Sequence, residues 1–139
     1  MKAKSGSNGK WGYLSLQKDD NQYKLKWTDE NSANAPKEKF IMTSEKNGGN
    51  LVTLQWINPK TNRPSLFLAT KARGGNADYD DVIFSDAANK AQFSQLLRTG
   101  SKTEFALDLH GYLVVNSADF VDTSGVDPGK AALFELSTK

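Results

Sequence analysis

The 139-residue sequence has no cysteine and a single histidine, His110. The absence of cysteine excludes disulfide scaffolds, thiolate metal sites and cysteine nucleophiles. One histidine excludes a metal site built from several imidazoles, and no Gly-x-Ser-x-Gly turn accompanies it to complete a Ser-His-Asp triad. We therefore expect no enzyme activity, no metal and no cofactor, and we interpret His110, which precedes a glycine, as a solvated turn residue.

Long hydrophobic runs are also lacking. The longest, such as residues 131–134, are far shorter than a membrane span. The first residues lead into serine and glycine rather than into an apolar signal core, and the chain contains no Asn-x-Ser/Thr sequon. We expect a protein without a membrane span that acts in the cytoplasm, rather than one secreted without a visible signal.

Charge is nearly balanced overall, at +2, but not along the chain. Residues 1–73 hold 13 Lys and Arg against 6 Asp and Glu, whereas residues 74–139 hold 5 against 10. The lysines of the first half are spread singly among polar residues instead of forming a cluster that could follow phosphates. We therefore expect no nucleic-acid partner.

Apolar and polar residues alternate in several short segments, which is the period of a strand, and almost no segment shows the period of a helix. Residues 23–27, 52–56 and 105–109 each place their large apolar side chains on one face. Stretches rich in Gly, Asn and Pro separate these segments. The pattern predicts an all-β protein, in which residues 86–97 begin as a helical turn and end as a strand.

Two kinds of anchor recur along the chain. The first lies at Tyr13, Leu66 and Tyr112, and the second at Phe40, Phe93 and Phe134. Between the first and second copies both kinds are displaced by 53 residues, and within each of these copies 27 residues separate the two anchors; in the third copy the separation is 22. The spacing predicts one domain, 1–139, of three four-stranded repeats, about 1–49, 50–101 and 102–139.

Twelve strands follow from these repeats, near residues 2–5, 12–17, 23–27, 38–43, 50–57, 65–70, 81–86, 91–97, 103–109, 112–116, 119–123 and 131–138. We expect a shared core built from one large side chain of each of ten strands. Its predicted members are Leu14, Leu25, Phe40, Leu54, Phe67, Phe84, Phe93, Leu107, Leu113 and Phe134. Trp27 and Trp56 are in phase with buried leucines and are expected in the core or under a hairpin, whereas Trp11 is expected at the surface.

The arrangement resembles the β-trefoil, in which three four-stranded units form a six-stranded barrel capped by three hairpins. The resemblance covers essentially the whole chain. The motifs Gly12-Tyr13-Leu14 and Gly111-Tyr112-Leu113, with the three phenylalanine anchors, are similar to the fascin, hisactophilin and plant-agglutinin branches. A propeller is disfavoured because three blades cannot enclose a channel. A lipocalin-like barrel, suggested by Gly9-Lys10-Trp11, does not account for the threefold repeat.

The resemblance also implies where a lectin pocket would lie, between the end of a repeat's first strand and its second-to-third-strand hairpin. The positions in repeat three are Asp108, Asn116, Asp119 and Phe120, and those in repeat two are Gln55, Tyr79 and Asp80. Carboxylates and amides can hydrogen-bond sugar hydroxyls, and an aromatic ring can pack on the sugar's C–H face. Repeat one offers Lys4, Gln17 and Tyr23, without a carboxylate. The Gln-x-Trp motif of ricin-type lectins is absent, so that pocket does not carry over.

The function implied by this resemblance is a non-catalytic lectin whose partners are glycans or glycoproteins. Two alternatives remain open. One is a protein-interaction module of the fascin or hisactophilin kind, which would bind actin or another protein through the basic first half. The other is a protease-inhibitor trefoil whose loop 58–64 enters a protease cleft. A homodimer also remains open.

Overall fold

The computed structural model describes residues 1–5, 8–19, 21–44, 50–71, 81–97, 103–109, 111–125 and 128–136. Within these residues the chain forms twelve strands in one sheet and two short 3₁₀ turns, Ala87–Asn89 and Pro128–Lys130. The strands are β1 Lys2–Lys4, β2 Trp11–Asp19, β3 Gln22–Asp29, β4 Phe40–Ser44, β5 Leu51–Asn58, β6 Arg63–Lys71, β7 Asp81–Ser85, β8 Phe93–Leu97, β9 Phe105–Asp108, β10 Tyr112–Val115, β11 Val121–Ser124 and β12 Leu133–Glu135.

The predicted all-β class is confirmed, and each of the twelve predicted strands has a counterpart. The helical turn expected after Asp86 is the 3₁₀ turn at Ala87–Asn89, and the strand expected to end at Leu97 is β8. The longest hairpin, β2–β3, shows why alternation predicted the strands. Leu25 and Trp27 point into the core while Lys24 and Lys26 point outward, because successive strand residues face opposite sides.

Six of the strands form a continuous antiparallel path in the order β1, β12, β9, β8, β5, β4. Its two ends, β1 and β4, are not joined by strand pairing among the described residues. The Met1 amine instead donates a hydrogen bond to the Glu38 carbonyl at 3.2 Å, just before β4 begins. The six strands thus surround a core whose last edge is bridged by single hydrogen bonds rather than by a ladder.

The remaining six strands form three hairpins, β2–β3, β6–β7 and β10–β11. Each hairpin pairs through its first strand with the strand that precedes it, β1, β5 or β9. The hairpins also meet one another. Tyr23 of β3 pairs with Phe84 of β7, Lys26 bridges to Phe120, and the Trp27 N–H donates to the Asp119 carbonyl at 2.7 Å. The ends of the hairpins are therefore held close together.

The core contains nine of the ten predicted residues, which are Leu14, Leu25, Phe40, Leu54, Phe84, Phe93, Leu107, Leu113 and Phe134. Trp27 is also buried, as predicted, and its indole N–H donates to the Ala3 carbonyl at 2.9 Å. Trp56 is half-buried and packs against the core. Buried rings contact one another in two places, Phe40 with Phe84 and Phe105 with Phe134.

The prediction for Phe67 is wrong. It is opposite the half-buried Gln55 of β5, on the outer face of the hairpin, and Lys90 lies over its ring at 5.4 Å. Its neighbour Leu68, 1% exposed, occupies the core position. The alternation of the strand decides which face is buried, so the smaller side chain is inside and the larger one outside.

The part of the chain that the structure describes contains no helix with the length and hydrophobicity needed to cross a lipid bilayer.

Candidate functional site

A cleft of about 360 Å³ lies where the β2–β3 and β10–β11 hairpins meet the start of β7. We call it the hairpin cleft. It is lined by Asp19, Lys24, Asp81, Val82, Asn116, Ala118, Phe120, Val121 and Asp122. Two of these residues, Asn116 and Phe120, belong to the set predicted from the sequence.

The turn between β10 and β11 presents Phe120 to the hairpin cleft. The Asn116 side-chain oxygen accepts hydrogen bonds from the N–H groups of Ala118 and Phe120, both at 3.0 Å. Asp119 has a φ of 65°, in the left-handed region that Asp tolerates better than most residues. Because asparagine and aspartate supply this local geometry, the turn is shaped by its own side chains.

Two lysines of β3 lie beside the Phe120 ring. The Lys26 Nζ is 4.6 Å from the ring centroid and also donates to the Ala118 carbonyl at 2.9 Å. The Lys24 Nζ is 5.9 Å from the centroid and forms an ion pair with Asp19 at 3.4 Å. A cation over an aromatic face is attracted by the ring quadrupole, so these contacts hold the two hairpins together around Phe120.

The hairpin cleft contains more acidic than basic groups, because Asp19, Asp81 and Asp122 line it with Lys24. The Asp122 carboxylate accepts a hydrogen bond from the Thr123 N–H at 2.9 Å. No group of three or more carboxylate or imidazole side chains among the described residues is arranged to hold a metal ion. The cleft therefore offers hydrogen-bonding groups of both charges around one ring.

The structure does not place Asp108 in this group. Asp108 is opposite Tyr112 across β9 and β10, and its carboxylate accepts from the Gly111 N–H at 3.1 Å. Four strand residues, or about 13 Å, separate Tyr112 from Asn116. Asp108 thus lies at the far end of β10, where it stabilises the turn from β9.

The other predicted residues are distributed as follows. Asp119 is exposed at the tip of the turn, beside the hairpin cleft, and contributes its carbonyl to Trp27. Gln55 is half-buried and donates from its amide to the Ser65 carbonyl at 2.9 Å, which positions the start of β6. Tyr79 and Asp80, like His110, lie outside the described residues.

The site residues predicted from the sequence did not include four charged residues of the hairpin cleft: Asp19, Lys24, Asp81 and Asp122. Each is a polar residue in or beside a hairpin, where a solvated side chain is the ordinary expectation. Their proximity depends on contacts between hairpins that are far apart in sequence, such as the bridge from Lys26 to Phe120. No local signal in the chain encodes that proximity.

Comparison with known protein families, with curated proteins and with solved structures finds no match for this chain. The strand pairing and the geometry of the surface are therefore the basis on which a function is assigned.

Proposed function

We propose that the chain is a β-trefoil that binds carbohydrate without catalysing a reaction. The trefoil is supported by the six-strand path, by the three hairpins attached to alternate members of it, and by the repetition of buried residues. Second strands bury Leu14, Leu68 and Leu113; third strands bury Leu25, Val82 and Val121; fourth strands bury Phe40, Phe93 and Phe134.

Carbohydrate binding is supported chiefly by one observation, the position of the Phe120 ring in a shallow cleft lined by charged and amide side chains. A sugar presents C–H groups to an aromatic ring and hydroxyls to acceptors and donors around it. The cleft volume of about 360 Å³ falls in the range of small-molecule sites. The excess of carboxylates over lysine disfavours a phosphate ligand and favours neutral hydroxyls.

The test is a glycan-array screen of the full chain, followed by titration of a bound glycan with variants. Phe120→Ala is expected to weaken binding by about tenfold, which corresponds to the loss of a ring contact worth about 1.4 kcal/mol. Phe67→Ala is the matched control, because Phe67 is also a partly exposed phenylalanine with a lysine over its ring, outside the hairpin cleft. Equal binding by the wild type and both variants would contradict the role of Phe120.

A second candidate function, protein interaction through the basic first half, is favoured by the outer face of β1 and β2. The Lys2 Nζ lies 5.6 Å from the Trp11 ring and 6.0 Å from the Tyr13 ring, and the Lys37 Nζ lies 5.4 Å from the Tyr13 ring. Glu30 forms an ion pair with Lys2 at 3.3 Å. Tyrosine and tryptophan are enriched where proteins bind one another.

The dependence of binding on salt concentration distinguishes the two candidate functions. Binding of a neutral glycan is expected to change little with ionic strength. Binding of an acidic protein partner through lysines is expected to weaken steeply, because salt screens the charges. Actin in a co-sedimentation assay is the probe for such a partner. Actin binding that is salt-sensitive and that Lys2→Ala weakens, together with an empty glycan array, would favour the interaction module.

A further inference from the structure

A second concave surface lies on the opposite face of β3 from Lys24. This depression, of about 500 Å³, is formed where the start of β3 meets the end of β5, the turn that follows it and the start of β6. Its lining residues are Tyr23, Trp56, Asn58, Pro59, Lys60, Ser65 and Leu66. It shares no lining residue with the hairpin cleft. We call it the aromatic depression.

The aromatic depression is more apolar than the hairpin cleft. Tyr23 is 42% exposed and is one of three large hydrophobic side chains among the described residues that are exposed, with Ile41 and Leu97. Trp56, Leu66 and Pro59 supply further apolar surface. An exposed aromatic ring beside a concave apolar wall is the surface on which the C–H face of a sugar ring packs.

Polar groups line the same depression. Asn58, Ser65 and Lys60 can donate or accept hydrogen bonds, and no carboxylate is among the lining residues. A cationic ligand would therefore find no carboxylate to pair with there, whereas a neutral ring with hydroxyl groups would find both an apolar face and hydrogen-bonding groups. The chemistry fits a neutral pyranose.

The walls of the depression are fixed by bonds within the protein. The Asn58 side-chain oxygen accepts from the Lys60 N–H at 2.9 Å, and the Asn62 N–H donates to the Asn58 carbonyl at 2.7 Å. Gln55 holds the start of β6 through the Ser65 carbonyl. Because the turn is closed in this way without a ligand, binding requires little ordering of the chain.

The indole N–H of Trp56 supplies an independent observation. It is buried and has no hydrogen-bond acceptor among the described residues, whereas the indole N–H of Trp27 donates to the Ala3 carbonyl. A buried donor without an acceptor is unfavourable, and most such groups in proteins are paired. A ligand hydroxyl that accepted a hydrogen bond from this N–H would satisfy it.

We infer that the aromatic depression is a carbohydrate subsite separate from the hairpin cleft, and that it takes the apolar face of a neutral pyranose against Tyr23 and Trp56. This inference rests on the proposed carbohydrate-binding function and names the ligand class for a second site. It also assigns a role to Tyr23, which joins β3 of the first repeat to a surface built from the second.

The test is a titration of the full-length, ¹⁵N-labelled chain with methyl β-glucopyranoside, methyl β-galactopyranoside and methyl α-mannopyranoside, followed by the three tryptophan indole N–H signals. A Trp56→Phe variant assigns the Trp56 signal by its loss. At least one glycoside is expected to shift the Trp56 signal saturably, while the Trp27 signal, whose donor is already bonded inside the core, stays in place. Glycerol at equal concentration, which has hydroxyls but no ring, is expected to shift neither.

Variants then locate the contact. Tyr23→Ala is expected to weaken glycoside binding by about tenfold through the lost ring contact. Leu97→Ala is the control, because Leu97 is 62% exposed and lies on β8 outside the depression. A Trp56 signal that none of the three glycosides shifts, or undiminished binding by Tyr23→Ala, would overturn the inference.

The outcomes also separate this inference from the proposed function. Glycan binding that is weakened by Phe120→Ala but not by Tyr23→Ala overturns the second subsite and leaves the hairpin cleft in place. Weakening by Tyr23→Ala alone supports the aromatic depression and removes Phe120 from the binding surface. If no glycan on the array binds and none of the three glycosides shifts the Trp56 signal, both the proposed function and the second subsite are overturned.

Discussion

Replacing Phe93 with alanine is expected to lower the free energy of unfolding by about 3–5 kcal/mol, the usual loss for a buried phenylalanine. Phe93 is 1% exposed and begins β8, the strand that joins β5 to β9 in the six-strand path. Truncation removes core contacts and leaves a cavity that the surrounding packed side chains fill only in part. For a domain whose total stability is about 5–15 kcal/mol, this is a large fraction.

Chemical denaturation of the wild type and the variant measures this loss. Phe67→Ala provides the control, since it removes the same side chain from the outer face of a hairpin and is expected to cost about 1 kcal/mol or less. A Phe134→Ala variant should match Phe93→Ala, because both phenylalanines are buried on strands of the six-strand path, β12 and β8. If Phe93→Ala and Phe67→Ala lower the free energy of unfolding by the same amount, the assignment of Phe93 to the shared core is wrong.

Replacing Gly12 with alanine is expected to destabilise the protein by about 2–4 kcal/mol, from overpacking and a disturbed hydrogen bond. A methyl group at this position would overlap the Trp27 indole and would lie 2.6 Å from the Thr28 carbonyl oxygen. The indole cannot move away freely, because it is buried and bonded to the Ala3 carbonyl. The loss would appear as a lower denaturation midpoint.

Gly129→Ala is the matched control for this substitution. A methyl group at Gly129 has no heavy atom within 4 Å, so the midpoint should change little. A further measurement is hydrogen exchange at the Trp27 indole N–H. Exchange should be faster in Gly12→Ala and unchanged in Gly129→Ala. Equal stability of the two variants would show that the Trp27 ring tolerates displacement.

The strands were predictable because their signal is local. Alternation around Leu25 and Trp27, and the recurrence of Phe40, Phe93 and Phe134, depend on the backbone period and on burial of one face. Phe67 was predicted wrongly because residue size was given more weight than the alternation of Leu66 and Leu68. In a strand with one buried face, every second residue points inward, and the position of a residue in this alternation decides whether its side chain is buried.

The candidate site was predictable only in part. Asn116 and Phe120 occupy a hairpin whose turn is visible in the sequence, and the structure places both in the hairpin cleft. Asp108 was grouped with them because it ends the preceding strand, but the length of β10 separates the two ends of the hairpin. Lys24 and Asp19 enter the cleft through contacts between hairpins, which strand periodicity does not specify.

The aromatic depression illustrates the same limit. From their own strands, Tyr23 was predicted on the apolar face of residues 23–27 and at a pocket position of repeat one, and Trp56 was predicted in the core or under a hairpin. Their joint contribution to one concave surface depends on how the β2–β3 hairpin packs against β5, β6 and β7, with Tyr23 paired to Phe84 of β7. Strand alternation predicts which face of a strand is buried, but not the surfaces that form between hairpins distant in sequence.

The six-strand path has a consequence for the order in which the molecule forms. Its strand β1 has three residues and pairs with β12, so Lys2 meets Glu135 from the other end of the described chain. Contacts between residues so distant in sequence require closure of a very long loop, which slows folding, whereas hairpins such as β2–β3 close short loops. We therefore expect the hairpins to form early and the docking of β1 between β12 and β2 to come late, completing the core around Ala3.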